Sequence, residues 1–565
     1  MWSEEIEILV NFGATMSEQQ IDTHAVFNQP APLENYNSWL SDALLQHWTA
    51  HFGGDWAATQ LQQFGARTGG DLLVAGFLAN KHKPEFYPHN RFGERIDWVE
   101  FHPSYHQLMT HAIEAGVHAL PWNDPRPGAH VARAAMEFMH TQADPGSGCP
   151  LTMTFAAIPA LRHQPQLLKS WGDKIRAPHY DPRNVPFYEK QGLTIGMAMT
   201  EKQGGSDVRA NTTKAQLIGS DGEVPTYEIT GHKWFCSAPM CDGFLVLAQL
   251  EEGLSCFLLP RWRPDGSKNS MFIQRLKNKI GNISNASSEV EYRRAFAWLI
   301  GEPGRGVRTI IDMVSMTRFD CMVGSSALMA QAAREAIHHA GGREVFGKNL
   351  HHQPLMQNVL ADLAIEAEAA LAMTMRVAAA LDKPEDAAEQ AIVRLGTALG
   401  KYWICKRAAQ HSYEAMESIG AVGLMEDNVV ARLYREAPVN AIWEGSGNVQ
   451  CLDLLRVLSR EPEVLEQFFD ELQQAAGSDP RYDDFLLALR AQFADRATLE
   501  QRSRLIVEQM ALAWQAALLL RAGDSDVAEA FVASRLGAQG GYMYGTLPAG
   551  TPCLKILQRA APQLH

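Results

Sequence analysis

Two short runs, FLVLAQL at residues 244–250 and LSCFLLP at 254–260, decide the fold class. They are rich in β-branched and aromatic residues and are bounded by Gly, Asp and Pro, as is SSEVEYRRAFAWLI at 287–300, so residues 192–301 read as a small β domain. Upstream the period is different. ALLQHWTAHF and HVARAAMEFMHTQ place apolar residues three and four apart, as one buried helix face requires, and Pro-rich loops such as HALPWNDPRPG separate them. Downstream, ALMAQAAREAIHHA and NVLADLAIEAEAALAMTMRVAAAL are too apolar on one side to stand without partner helices. Beyond Leu458, FFDELQQAAG, RYDDFLLALRAQF and RLIVEQMALAWQAALLLRAG read as further amphipathic helices. Helices, then strands, then helices is an α+β order, with no βαβ series and no G-x-G-x-x-G turn. The chain divides into an N-terminal arm (1–42), a helical domain (43–191), the β domain (192–301), a helical bundle (302–457) and an added C-terminal helical domain (458–565).

Length and composition agree with several packed units: 565 residues exceed one core, and 46% apolar with 20% charged residues is ordinary globular chemistry. The formal charge of −14 argues against a surface built to neutralise phosphates. The eight cysteines include no Cys-x-x-Cys pair, which excludes a zinc-ribbon pattern and fits reduced thiols in the cytoplasm. Glu4, Glu5 and Glu7 stand where an import signal needs Lys or Arg, and Met16 offers a second start. The apolar run at 510–520 falls short of the roughly 20 residues of a membrane span, so the chain reads as soluble and without a membrane partner. GREVFGKN at 342–349 mimics a phosphate loop, but it ends in Asn and follows a helix rather than a strand.

Three segments carry chemistry. In MAMTEKQGGSDVRANTT (197–213), Gly204 and Gly205 permit close backbone approach, while Thr200 and Ser206 offer hydroxyl groups. A solvated turn capped at Ser206 has the same composition. In GHKWFCSA (231–238), Trp234 offers a flat face and Ser237 a nearby hydroxyl, as a stacked heteroaromatic ring needs, although a core Trp would look the same. In RLYREAPVNAIWEGSGNVQCL (432–452), Glu444 lies between Trp443 and the flexible Gly445, Ser446 and Gly447. Poor solvation beside an indole raises a carboxyl towards the range of a general base; a helix-start residue satisfied by loop N–H groups is the alternative.

Taken together and in this order, the segments resemble the acyl-CoA dehydrogenase superfamily. MTEKQGGSDV resembles its T-E-x-x-x-G-S-D stretch, GHKWFCS its G-x-K-x-W-I-(T/S) stretch, IWEGSGN its base-bearing loop, and REVFGKNLHHQPLMQNVLADL its R-x-x-F-G element followed by Gln. HAVFNQPAPL, MTRFDC and REAPVNAIWEGSGN are similar to the AidB-like branch, over about residues 22–457. The resemblance implies an N-terminal helical domain, a central β barrel, a helical bundle and an extra C-terminal helical domain, assembled as a homotetramer built from dimers. It implies FAD, with Met197, Met199, Thr200, Gly205, Ser206, Trp234, Phe235, Cys236, Ser237, Trp443, Gly445, Ser446 and Asn448 around it, and Arg343 and Gln353 reaching FAD of a neighbouring subunit. Glu444 would remove the α-proton of an acyl-CoA while hydride passes to the flavin, with Arg318 either beside the base or serving equally as a bundle ion-pair residue. Cys236 stands where many relatives have Thr after Trp-Ile, so the hydrogen bond near the flavin's reactive nitrogen falls to Ser237 or the backbone.

A second function class also follows from that branch: a DNA-associated protector against alkylation damage. The sequence from Cys451 onward carries 11 Lys plus Arg against 15 acidic residues, which is not a basic domain. Arg496, Arg502 and Arg504 are the one candidate stripe for duplex DNA, and an exposed helix face laced with Glu500 and Glu508 explains them better.

Overall fold

In the computed structural model, which describes residues 23–564, the amphipathic runs fold as helices whose ends are set by capping side chains and prolines. The readings made at Glu4, Glu5, Glu7 and Met16 lie outside the described residues. Helix α1 (Ala43–His51) starts where the Asp42 carboxylate accepts from Leu45 N–H. It is followed by α2 (Ala58–Thr68), α3 (Asp71–Lys81), the hairpin β1 (Glu85–His89) and β2 (Arg95–Glu100), and α4 (Pro103–Ala115). After a single turn at Leu120–Asn123 come α5 (Ala129–Ala143), α6 (Pro145–Leu161) and α7 (Pro165–Ile175). The Asp144 carboxylate caps α6 through Ser147 N–H, with Pro145 in the first turn. Every residue of α5 is buried, so this helix runs through the interior rather than along the surface.

The β region forms one sheet from β3 (Ile195–Ala198), β4 (Lys214–Asp221), β5 (Val224–Ser237), β6 (Gly243–Leu250), β7 (Gly253–Pro260), β8 (Met271–Leu276) and β9 (Ser287–Ile300). Its pairings run β6, β4, β5, β9, β7 and back to β6, which closes a barrel. The two deciding runs are β6 and β7, antiparallel in the register Phe244↔Leu259 to Leu250↔Gly253. They lack polar alternation because both of their faces are covered. One edge of β6 is shared: β3 takes Gly243 to Val246 in parallel, and β4 meets it only at Lys214↔Gln249. The long β5–β9 ladder slips between Lys233↔Val290 and Cys236↔Ser288. Trp234 and Phe235 thus face one partner residue, a bulge that bends the strand and re-aims side chains.

The bundle comprises α8 (Gly306–Gly342), α9 (Pro354–Leu381), α10 (Ala387–Ile419), α11 (Val429–Ile442) and α12 (Gly447–Arg460). The stretch resembling a phosphate loop is a two-strand ribbon, Glu344–Val345 with Lys348–Asn349, turned at Phe346 and Gly347. The C-terminal helices α13 (Pro462–Gln473), α14 (Pro480–Ala491), α15 (Ser503–Ala522), α16 (Ser525–Phe531) and α17 (Cys553–Ala560) pack on the bundle. The apolar run at 510–520 continues into the helical turns on either side of it. It belongs to a 20-residue helix that is long and apolar enough to cross a membrane, yet 67% of that window is buried inside the protein. Trp514, fully buried, rests where Gly396 has no side chain; a Cβ there would stand 2.5 Å from the indole. Two of the three candidate DNA-facing arginines are engaged within the chain: Arg502 on Gln492, Thr498 and Asp495, and Arg504 on Asn448.

One apolar core joins the N-terminal helices, the bundle and the C-terminal helices. A second fills the barrel and includes parts of α6 and α7. A large cavity lies where these two cores meet.

Candidate functional site

The site is organised by a sharp turn. Helix α11 ends at Ile442, and the chain reverses through Trp443, Glu444, Gly445 and Ser446 into α12. Glu444 takes a left-handed φ of 57° and Gly445 one of 96°, a conformation that costs a non-glycine residue roughly 1 kcal/mol or more. The surroundings over-determine it. Lys401 of α10 donates to the carbonyls of Asn440 (2.9 Å), Trp443 (2.6 Å) and Gly445 (2.8 Å), satisfying groups the helix end leaves open. Gln450 donates to Gly445 O at 2.9 Å, and Arg318 Nε to Glu444 O at 3.0 Å. Arg318 is itself held by Asp453, which also binds Arg394.

The Glu444 side chain lines the cavity and accepts one hydrogen bond, from Thr317 Oγ1 at 2.8 Å. Desolvation pushes its carboxyl above the ordinary carboxylate range, while the Thr317 bond and the charges of Lys401 and Arg318 pull the other way. The alternative reading of this residue, a carboxylate held by loop N–H groups, is therefore replaced by a hydroxyl partner on another helix.

The facing wall comes from the loop that leaves β3 and from the end of β5. The two sequence segments are joined by an ion pair: Lys233 Nζ lies 2.9 Å from Glu201 Oε1, with both side chains fully buried. Glu201 also accepts from Thr212 N (2.7 Å), Thr212 Oγ1 (2.9 Å) and Thr213 N (3.1 Å), and these donors hold it far below the usual carboxylate range against burial. Trp234 N–H donates to Thr200 O at 2.8 Å. Gly205 fits because a Cβ would stand 2.5 Å from Thr200 Oγ1. At the bulge, Phe235 lines the cavity, Cys236 turns into the barrel core, and Trp234 lies outside the lining, its indole N–H on Glu289 at 3.1 Å and Lys277 over its ring. Ser237 Oγ meets Ser287 Oγ at 3.1 Å, and Lys279 Nζ donates to Ser287 Oγ at 2.9 Å.

The cavity measures about 1620 Å³, more than the roughly 300–1,000 Å³ of a single small-ligand site. It brings together Met197, Met199, Thr200, Gly205, Ser206, Phe235, Ser237, Arg318, Trp443, Glu444, Gly445 and Ser446. Arg209, Arg305, Arg308, Arg394, Arg456 and Arg460 also line it. Apolar walls, hydroxyl groups and a cationic border fit a heteroaromatic cofactor with an anionic tail. Five expected residues are not in this lining: Trp234, Cys236, Asn448, Arg343 and Gln353. Arg343 donates to Asn28 O and Gln353 to Val345 O, away from the cavity. Sequence reasoning missed Thr317, Lys401, Gln450, Asp453 and the Glu201–Lys233 pair. Thr317 adjoins Arg318 in the MTRFDC phrase, and Glu201 and Lys233 sit inside quoted motifs; Lys401 has no signal beyond helical spacing. Among the described residues no cluster of metal-ligand side chains was found.

Comparison with known proteins matches three segments of the chain. Residues 28–182 match the adaptive response protein AidB N-terminal domain, 196–295 the acyl-CoA dehydrogenase middle domain, and 304–459 the acyl-CoA dehydrogenase C-terminal domain. The chain is 44% identical to the Escherichia coli (strain K12) protein AidB, across 92% of this chain and 95% of that one. It is 30% identical to acyl-CoA dehydrogenase family member 11 of Caenorhabditis elegans, across 80% and 74%. Among solved structures, Caenorhabditis elegans ACDH-11 in complex with C11-CoA superposes with a TM-score of 0.82 at 26% identity, covering 98% of this chain and 95% of that one. The Bd2924 apo-form gives 0.80 at 27% identity, covering 87% and 99%.

Proposed function

Because the chain belongs to the acyl-CoA dehydrogenase family, in its AidB-like branch, we propose that it is an FAD-dependent oxidoreductase that removes the α-proton of an acyl thioester with Glu444. The observation that carries this reading is the Glu444 carboxyl itself, raised by desolvation, given a single hydroxyl partner and set on the cavity wall across from the Ser237 strand end. A carboxylate in that state is a stronger base than one in water, and it keeps lone pairs free for the incoming proton. FAD, when bound, supplies the hydride acceptor. Thr200, Ser206 and Ser237 would hold its polar edge and Phe235 would pack near its ring, with Trp234 supporting the strand from behind. Thr317 is a positioning residue, since its hydroxyl fixes the Glu444 rotamer, and Arg318 positions the turn through the Glu444 carbonyl. Anaerobic addition of a panel of acyl-CoAs tests the reading: bleaching of the flavin by at least one member is expected, and none would overturn it.

The direction of the pH dependence follows. Glu444 acts when ionised, so kcat/KM rises as pH passes upward through its raised pKa. The Thr317 bond favours the ionised form. Thr317→Val is therefore expected to move the acid limb of the kcat/KM profile to higher pH; a limb that stays put or moves down removes Thr317 from this role.

Arg343 and Gln353 lie on the ribbon side of the molecule, where Phe346 is 95% exposed. We assign them to a neighbouring subunit's FAD in a homotetramer. Arg343→Ala is expected to lower FAD retention and dimer stability together after dilution, as linked binding requires; full occupancy in the variant counts against it. The DNA-associated role is separated from acyl-CoA chemistry by one further measurement. Salt-sensitive retention on duplex DNA, without any bleaching by acyl-CoAs, is the result that favours it.

A further inference from the structure

The cavity has a second ionisable wall that the proposed chemistry does not use. From Thr317, the cavity-lining positions of α8 continue to Asp320, Cys321 and Gly324, away from the Glu444 contact. Thr317 and Asp320 are three residues apart, about 4.5 Å along the helix. Opposite Asp320 stands Glu137 of the interior helix α5, which is 4% exposed and lines the same cavity. Asp320 is fully engaged: Arg133 binds both of its oxygens and Thr152 Oγ1 donates to it at 2.8 Å. Glu137 is not, because its Oε2 has no hydrogen-bond partner.

Two glycines line this end of the cavity, one of them beside Glu137. A Cβ on Gly148 would lie 3.0 Å from Glu137 Oε1. One on Gly324 would lie 3.1 Å from Asn440 Nδ2, with Thr141 Oγ1 at 3.8 Å. A buried carboxyl oxygen without a partner costs free energy comparable to a lost hydrogen bond or more. A ligand group that bonds this carboxyl, once a turn about its terminal torsion brings Oε2 round to the cavity, recovers that cost, whereas an alkyl chain leaves it in place.

Resting on the acyl-CoA reading above, we infer that this end of the cavity binds an uncharged hydrogen-bonding group, such as a hydroxyl, a few carbons beyond the reacting centre of the acyl chain. The preferred substrates are then polar-ended acyl thioesters rather than long alkyl ones. Burial and the charge of Asp320 push the Glu137 carboxyl up to about 8, against Arg133 and the Thr141 hydroxyl. At neutral pH it is therefore protonated and offers one donor and one acceptor, which suits a hydroxyl.

The test uses FAD-loaded protein titrated anaerobically with butyryl-CoA, 4-hydroxybutyryl-CoA, 4-aminobutyryl-CoA and undecanoyl-CoA, with flavin absorbance as the readout. The hydroxylated chain is expected to lead butyryl-CoA by about tenfold, the worth of one good hydrogen bond. Glu137→Gln, which keeps a donor and an acceptor, retains that order, and Glu137→Leu abolishes or inverts it. Equal response to the hydroxylated and plain chains, or a wild-type preference for the amine or the C11 chain, overturns the inference while leaving the role of Glu444 intact. If no thioester bleaches the flavin, the role of Glu444 falls instead. Calorimetric affinities for the same four compounds then decide the pocket's preference by the same order.

Discussion

Glu444→Gln is expected to keep FAD bound and to lose flavin reduction by acyl-CoA almost entirely, with single-turnover bleaching slowed by about 10²- to 10⁴-fold. The amide is nearly the same shape and still accepts from Thr317, and the backbone bonds from Lys401, Gln450 and Arg318 do not involve the side chain. The turn should therefore hold, so a loss of rate reports lost basicity rather than lost structure. Unchanged bleaching in a variant with full flavin content would remove Glu444 from the reaction. Glu444→Asp separates reach from basicity: it keeps a base but shortens the arm, and is expected to fall between the parent and the amide.

The second large effect is structural. Glu201→Gln leaves the Lys233 ammonium buried without its charge partner, which costs about 3–5 kcal/mol when one member of a buried pair is removed. The loop from Thr200 to Thr213 also loses its anchor, because the same carboxylate gathers Thr212 and Thr213. A large drop in the urea or thermal midpoint is expected together with loss of FAD. A change below about 1 kcal/mol would mean that water or a rearrangement solvates Lys233. Replacing both partners, Glu201→Leu with Lys233→Met, is expected to recover much of the stability, since an apolar pair leaves no charge unpaired.

The fold was legible where side-chain periodicity is simple. Runs 244–250 and 254–260 became β6 and β7, and the helical runs on both sides became bundled helices. The run at 510–520 is part of a 20-residue helix whose period continues through Arg504, Glu508 and Arg521, and 67% of its apolar window is buried inside the protein. In the site, Glu444 was readable because the turn that carries it is local, with glycines following the carboxylate, whereas Arg318 stands on α8, 126 residues away, and only the resemblance of its phrase points to it. Lys401 and Gln450 were not readable. They act by pointing a donor at carbonyls contributed by another helix or an adjacent turn, and no spacing within their own helices encodes that target. Glu201 and Lys233 were quoted within two motifs, but their 32-residue separation concealed that one neutralises the other. Trp234 was expected against the flavin ring. The bulge instead exposes its neighbour Phe235 to the cavity, an outcome set by a register slip rather than by residue type.

The barrel is sewn shut along β6 by β3 for four residues and by β4 for one, and the loop from Met199 to Thr213 emerges through the gap between those two stitches. Gln249, at the lone stitch, donates from its side chain to the carbonyls of Arg209 and Asn211, so the loop doubles as the lacing. A cylinder with such a seam opens there before anywhere else, because fewest bonds need to break. Arg209 and Gln249 of that lacing also line the cavity, so whatever occupies it bears on the seam, and a filled cavity holds the seam more firmly than an empty one.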